Sequence, residues 1–172
     1  MNACITDELV QNASRYAESF IPSSRPGAPG RHVAVVACMD ARLDPRGLLG
    51  LNDGDAHVIR NAGGVVTPDV IRSLTISQRL LGTTEIILIH HTRCGMLTIT
   101  DEEFRQQLRD QTGAEPDWDP GTFGDLDQSV RDSAARLAAS PFLAHKQAIR
   151  GFVFDVETGS LREVPLRQLI AR

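Results

Sequence analysis

Two periods of hydrophobic and polar positions run along this chain, one helical and one extended. In residues 7 to 20, Leu9, Val10, Ala13, Tyr16, Ala17 and Phe20 recur at helical spacing, with Asp7 and Glu8 in the first turn and Thr6 placed to cap it. The stretch IPSSRPGAPG that follows carries three prolines and two glycines, which predicts a linker detaching this amphipathic helix from the main body. The run HVAVVACMD is apolar and β-branched without alternation, the pattern of a strand buried on both faces of a parallel sheet, and it ends at Cys38. Asp44 and Pro45 suit the N-cap and first position of a short helical turn, RGLLG, and AHVIR supplies a second strand. The glycines of NAGGVVTPD permit a tight turn. Thr67 and Pro68 then start a helix with Val70, Ile71, Leu74, Ser77 and Leu81 on one stripe, ended by Gly82. A third strand, EIILIHH, ends at His91, after which Thr100 caps a charged helix, DEEFRQQLRD. Residues 112 to 124 form a loop with the only Trp, and DLDQSVRDSAARLAAS resumes a helical pattern. GFVFDVETGSLREV reads as two short strands around a Thr-Gly turn, and a tail helix closes the chain.

Strands alternating with helices predict an α/β class, a three-layer domain around a largely parallel β-sheet, with residues 1–30 as helical arm and linker and 31–172 as the body. Ligands of such sheets bind beyond the carboxyl ends of the strands, where Cys38 and His91 both fall. The composition, 41% hydrophobic and 23% charged, is that of an ordinary globular domain. A net charge of -4 without a Lys-Arg run gives no footprint for nucleic acid or an anionic membrane, so small-molecule chemistry is the better expectation. The first residues lack a basic stretch followed by an apolar run, and no segment approaches ~18 consecutive apolar residues, so a soluble, cytoplasmic protein is expected.

Three cysteines are a poor disulfide framework. Cys4 lies in the terminal segment and reads as incidental. Cys38-Met39-Asp40-Ala41-Arg42 and His91-Thr92-Arg93-Cys94-Gly95 sit at the ends of two strands and are expected to meet. Two thiolates and one imidazole suit zinc, and three protein ligands leave a fourth position for water, the mark of a catalytic site. The alternative is a disulfide or redox thiol pair between Cys38 and Cys94. His90 and His91 face opposite sides of a strand, so only one shares the metal with Cys94, and His91 is the choice. His32, His57 and His145 read as surface or packing residues. Asp40 and Arg42 either form a surface ion pair of small value or serve the site, Arg42 fixing the carboxylate and Asp40 accepting a hydrogen bond from zinc-bound water.

Cys-x-Asp-x-Arg, then Arg60-Asn61-Ala62-Gly63-Gly64, then His-x-x-Cys-Gly resembles the β-class carbonic anhydrases over His32 to Met96, continuing in the strand Gly151 to Asp155. The resemblance implies one Zn2+ per chain on Cys38, His91 and Cys94, an Asp40–Arg42 dyad, and a homodimer or higher assembly in which the N-terminal helix packs across a partner subunit. The sequence His-Thr-x-Cys-Gly-Met-Leu also resembles a compact subgroup that includes carbonyl sulfide and carbon disulfide hydrolases. Many of those relatives have Asp before the second Cys, where this chain has Arg93. The expected reaction is attack of zinc-bound hydroxide on a small linear heterocumulene, carbon dioxide first and carbonyl sulfide or carbon disulfide as alternatives. Backbone N–H groups of Gly63, Gly64 and Gly95 are candidates to stabilise substrate oxygen, with Val65, Val66 and Leu97 as an apolar wall. A non-catalytic zinc module is the competing class, opposed by the presence of both Asp40 and Arg42. Nucleotide binding is weaker still, since Asn-Ala-Gly-Gly lacks dinucleotide spacing.

Overall fold

A computed structural model describes residues 4–21 and 26–166. Five strands, β1 (Val33–Cys38), β2 (Ala56–Asn61), β3 (Glu85–His91), β4 (Ile149–Phe154) and β5 (Leu161–Val164), form one sheet in the order β2-β1-β3-β4-β5. The first four are parallel to their neighbours, and β5 returns antiparallel to β4. Among the described residues five α-helices accompany them: α1 (Ile5–Glu18), α2 (Pro45–Leu49), α3 (Pro68–Arg79), α4 (Asp101–Thr112) and α5 (Leu126–Ala139).

The doubly apolar run of β1 is explained by its two packed faces, since all six of its residues are buried. Ala34 and Val36, with Ile86 and Leu88 of β3, pack against Val70 and Leu74 of α3 and Ala134 and Leu137 of α5. Val35, Ala37 and Ile89 belong to a second cluster with Leu43, Leu48 and Leu49 on and before α2, and Cys38 and Cys94 lie in that cluster too. Local chemistry sets the helix starts. Asp44 accepts from Arg46 N–H ahead of Pro45, Thr67 accepts from Val70 N–H ahead of Pro68, and Thr100 with Glu103 forms a capping box.

Two expected boundaries move. Cys4, extended, is the N-cap of α1 instead of Thr6, because the first helical bond already runs from Asp7 N–H to the Cys4 carbonyl. The last residue of α3 is Arg79, although Gly82, left-handed at φ 73°, still turns the chain away as Thr83 N–H donates to the Ser77 carbonyl. The tail helix falls on residues 167–172, outside the described residues. No helix among the described residues is long and apolar enough to cross a membrane.

The order of the strands locates the site. From β1 the chain goes to β2 on one side and then crosses to β3 on the other, so the carboxyl ends of β1 and β3 flank the point where the winding reverses. Side chains leaving these two ends face a common crevice. Cys38 and His91 are the last residues of those strands.

Candidate metal centre

β1 and β3 are direct neighbours in register, Ala37 opposite Ile89, so the residues just beyond that pair emerge side by side. After His91 the chain reverses through Thr92 and Arg93, the latter at φ 55°, and brings Cys94 back as the residue preceding a single 3-10 turn, Gly95–Leu97. One ligand atom each from Cys38, His91 and Cys94 then lie within 4.8 Å of one another, and all three residues are buried. The two sulfurs are 3.9 Å apart.

The imidazole is oriented for ligation. His91 Nδ1 donates to the Thr92 carbonyl at 2.9 Å, which leaves the lone pair on Nε2. That Nε2 is buried and has no hydrogen-bond partner. A buried acceptor without a partner is costly, and a metal ion between it and two thiolates removes the cost. The residues therefore fit a soft divalent ion such as zinc. His90, one residue earlier, faces the other side of the sheet as alternation requires. Its Nε2 donates to the Gly64 carbonyl at 3.2 Å, and its ring stacks on Phe123. Burial pushes its pKa down to about 4.

With protons alone between them, the two thiols divide unequally. The Cys94 S–H bond to Cys38, helped by His91 against the opposing effect of burial, lowers the Cys38 pKa, while holding that proton and burial raise Cys94. Burial depresses His91, but the Cys38 sulfur and Asp40 outweigh it and the net shift is upward. Ligation needs thiolates and a neutral imidazole, so a metal ion bound here would displace the proton the two sulfurs share.

Asp40 and Arg42 are brought together as a bidentate pair, Nε to Oδ1 at 2.9 Å and Nη2 to Oδ2 at 2.8 Å, and Arg42 N–H also donates to Oδ1 at 2.9 Å. These bonds hold the Asp40 carboxyl well below the usual carboxylate range. Its Oδ2 stands 3.7 Å from His91 Nε2, beside the point where the three ligand atoms converge.

Two residues support the site from outside the ligand set: Arg60, to which the sequence assigns no role, and Gly64, expected from the sequence to offer its N–H to substrate. Arg60 donates from Nε and Nη2 to the Cys38 carbonyl at 3.0 and 2.8 Å, and from Nη2 to the Asp40 carbonyl at 2.7 Å. One guanidinium thus braces the backbone on either side of Met39. The available signal was a charged residue on β2 directly opposite Ala37 of β1. The second support is Gly64, left-handed at φ 69°, where a Cβ would stand 2.7 Å from Cys38 N and 3.0 Å from both the Ala37 carbonyl carbon and the Ile89 carbonyl oxygen. Only glycine lets this turn approach the ends of β1 and β3 so closely.

The other expected site residues are spread around this centre. Leu97 packs against the cluster holding Cys38 and Cys94, whereas Val66 belongs to the core on the α3 and α5 face. Val65 and Val66 line a cavity of about 820 Å³ with Trp118 and Phe123, which Cys38, His91 and Cys94 do not line. Gly63, at φ 75°, faces Phe123 and Met96, and a Cβ on Gly95 would meet nothing within 4 Å.

Comparison with known proteins agrees with this geometry. The sequence profile of the carbonic anhydrase family matches residues 33–119, which contain Cys38, His91 and Cys94 and the Asp40–Arg42 pair. β-Carbonic anhydrase 1 of Mycobacterium tuberculosis is 54% identical over 160 residues, covering 93% of this chain and 98% of its own length. The chain belongs to the β-carbonic anhydrase family. The crystal structure of carbonic anhydrase from Streptococcus mutans matches this member with a TM-score of 0.89 at 43% identity, over 96% of this chain and 100% of that one. A carbon disulfide hydrolase of Acidithiobacillus thiooxidans is 36% identical over 153 residues, 77% of this chain and 76% of its own length.

Proposed function

We propose that this β-carbonic anhydrase family member hydrates carbon dioxide reversibly to bicarbonate, with one zinc ion per chain on Cys38, His91 and Cys94. The observation that carries the reading is the partnerless, buried Nε2 of His91 facing two sulfurs, with a carboxylate fixed 3.7 Å away by a bidentate arginine. Zinc in such a three-ligand site supplies Lewis acidity that brings the pKa of a water to near ~7. Asp40 Oδ2 accepts a hydrogen bond from the attacking oxygen and orients its lone pair toward the substrate carbon. Arg42 keeps Asp40 ionised and fixes it beside the ligand point without letting it occupy that point. Backbone N–H groups of Gly63, Gly64 and Gly95 receive the substrate oxygen, and Leu97, packed beside Cys38 and Cys94, gives the linear molecule an apolar wall. The proton released passes to solvent along the exposed side of the dyad, where the Arg42 side chain is 50% exposed.

The carbon disulfide hydrolase relatives support a second reading, attack by the same groups on carbon disulfide or carbonyl sulfide with release of hydrogen sulfide. Stopped-flow hydration of carbon dioxide with a pH indicator, run beside sulfide release from both sulfur substrates, tests the two together. Hydration well above the buffer rate with little sulfide release is the expected result; sulfide release without hydration overturns the first reading.

The working unit is a homodimer or larger homo-oligomer. Every described residue of α1 is exposed, including Ile5, Leu9, Val10 and Tyr16, an apolar face that a second subunit would cover. Three free cysteines suit a reducing cytoplasmic setting.

A further inference from the structure

Resting on that reading, we propose that Arg93 is a positioning residue that acts through its backbone carbonyl, holding Arg42 and through it the carboxylate of Asp40. Arg42 Nη2 donates to Asp40 Oδ2 at 2.8 Å and also to the Arg93 carbonyl at 3.1 Å. The carboxylate and Arg42 come from one short segment. Two neighbours on a chain can form their fork in many orientations, and the Arg42 side chain is half in solvent. The Arg93 carbonyl is an acceptor from a different segment, and it fixes the plane of the guanidinium relative to the ligands.

That acceptor is itself firmly placed. Residue 93 lies between His91 and Cys94, and the chain just before it is tied to the turn between β4 and β5. Thr92 N–H donates to the Phe154 carbonyl at 2.9 Å, and Thr92 Oγ1 accepts from Val156 N–H at 3.1 Å. To return Cys94 to His91, residue 93 takes φ 55°, a left-handed conformation shared among non-glycine described residues only by His32. Glycine enters that region freely, alanine at some cost, and a β-branched residue hardly at all.

The Arg93 side chain is separable from this role. It points outward to Glu157 Oε1 at 2.8 Å, in a pair whose side chains are 65% and 56% exposed, and such pairs contribute little. The backbone of residue 93 therefore governs the dyad, and its guanidinium does not.

The test compares Arg93→Gly, Arg93→Ala, Arg93→Thr and Glu157→Gln in the zinc-loaded protein. The first readout is hydrogen exchange at Arg42 Nε–H, seen as the nitrogen-15 NMR signal that disappears in Arg42→Lys. The glycine and Glu157→Gln variants are expected to stay within about twofold of wild type, since neither strains the backbone. Alanine carries the same Cβ as arginine at φ 55° and should likewise match wild type, whereas the β-branched threonine should exchange roughly fivefold faster. The second readout is kcat/KM for carbon dioxide at equal zinc content, expected to fall ~10-fold in Arg93→Thr and to recover in Arg93→Gly. Wild-type exchange in a folded threonine variant overturns the proposal, and so does an alanine variant that departs from wild type, which decides the matter even where the threonine variant does not fold. So does a glycine variant as impaired as threonine, which would give the role to the guanidinium. A wild type inert on carbon dioxide counts against the proposed function and leaves the exchange rates to decide this inference.

Discussion

Gly64→Ala is the substitution for which the structure gives the most definite magnitude. The added methyl would stand 2.7 Å from Cys38 N, 3.0 Å from the Ala37 carbonyl carbon and 3.0 Å from the Ile89 carbonyl oxygen, all backbone atoms of β1 and β3. No rotamer change relieves such contacts, so the ends of two hydrogen-bonded strands have to part. Overpacking of this kind costs roughly 1–3 kcal/mol, and alanine at φ 69° adds about 1–2 kcal/mol. A total near ~3 kcal/mol corresponds to a Tm lowered by roughly 6–12 °C in a domain of this size. The strain falls on the Cys38 amide, so zinc content should fall with stability. Gly124→Ala is the control, because a Cβ there meets nothing within 4 Å, and Gly63→Ala is intermediate, because Phe123 and Met96 are side chains able to move. Calorimetry and elemental analysis on the three purified variants read out both effects. A Gly64→Ala protein within ~1 kcal/mol of wild type and fully metallated would refute the claim that this turn is pressed against the strand ends.

Removal of the dyad separates chemistry from metal binding: Asp40→Ala should keep zinc yet lose at least ~10-fold in carbon dioxide turnover, measured by stopped flow. Arg42→Ala frees the Asp40 carboxylate to reach the open metal position, so inhibition should ease as pH falls and Asp40, no longer held below the usual carboxylate range, takes up a proton. Unaltered pH-rate profiles in both variants would reduce the pair to a structural ion pair. Cys94→Ser should largely lose zinc by elemental analysis, since a hydroxyl is a poor substitute for a thiolate. His90 is held near a pKa of about 4 by burial, below its unfolded value of 6.5, so the unfolded chain binds the extra proton first and stability is lost as pH falls through that window. Urea midpoints at pH 7 and pH 5 should show about 2 kcal/mol of this loss in wild type and little of it in His90→Phe. Deleting residues 1 to 25 should change subunit number in analytical ultracentrifugation, and an unchanged, soluble, active assembly contradicts the arm reading.

Legibility in the sequence followed the range of the interactions. The ends of β1 and β3 could be read because apolar runs give way to Cys38 and to the His90–His91 pair, and strand alternation allowed only one of these histidines to share a site with Cys94. Caps built from side chains, at Asp44, Thr67 and Thr100, were equally plain. The start of α1 was not, because Cys4 caps it without any side-chain bond, so no residue type marked the position. What the sequence hid most thoroughly was the support of the site, since Arg60 lies 22 positions from the Cys38 carbonyl it braces and the Arg93 carbonyl lies 51 positions from Arg42. Both contacts end on backbone oxygen. Any residue type offers that acceptor, so the partner leaves no mark in the sequence and only the parallel register or the left-handed turn creates the contact. Arg93 shows the consequence. Its side chain, the part visible in the sequence, points away to Glu157, while the atom that meets the dyad would be present whatever residue stood there. A reading by residue identity asks what an arginine does beside a ligand cysteine; the structure makes it a question of which residues tolerate φ 55°.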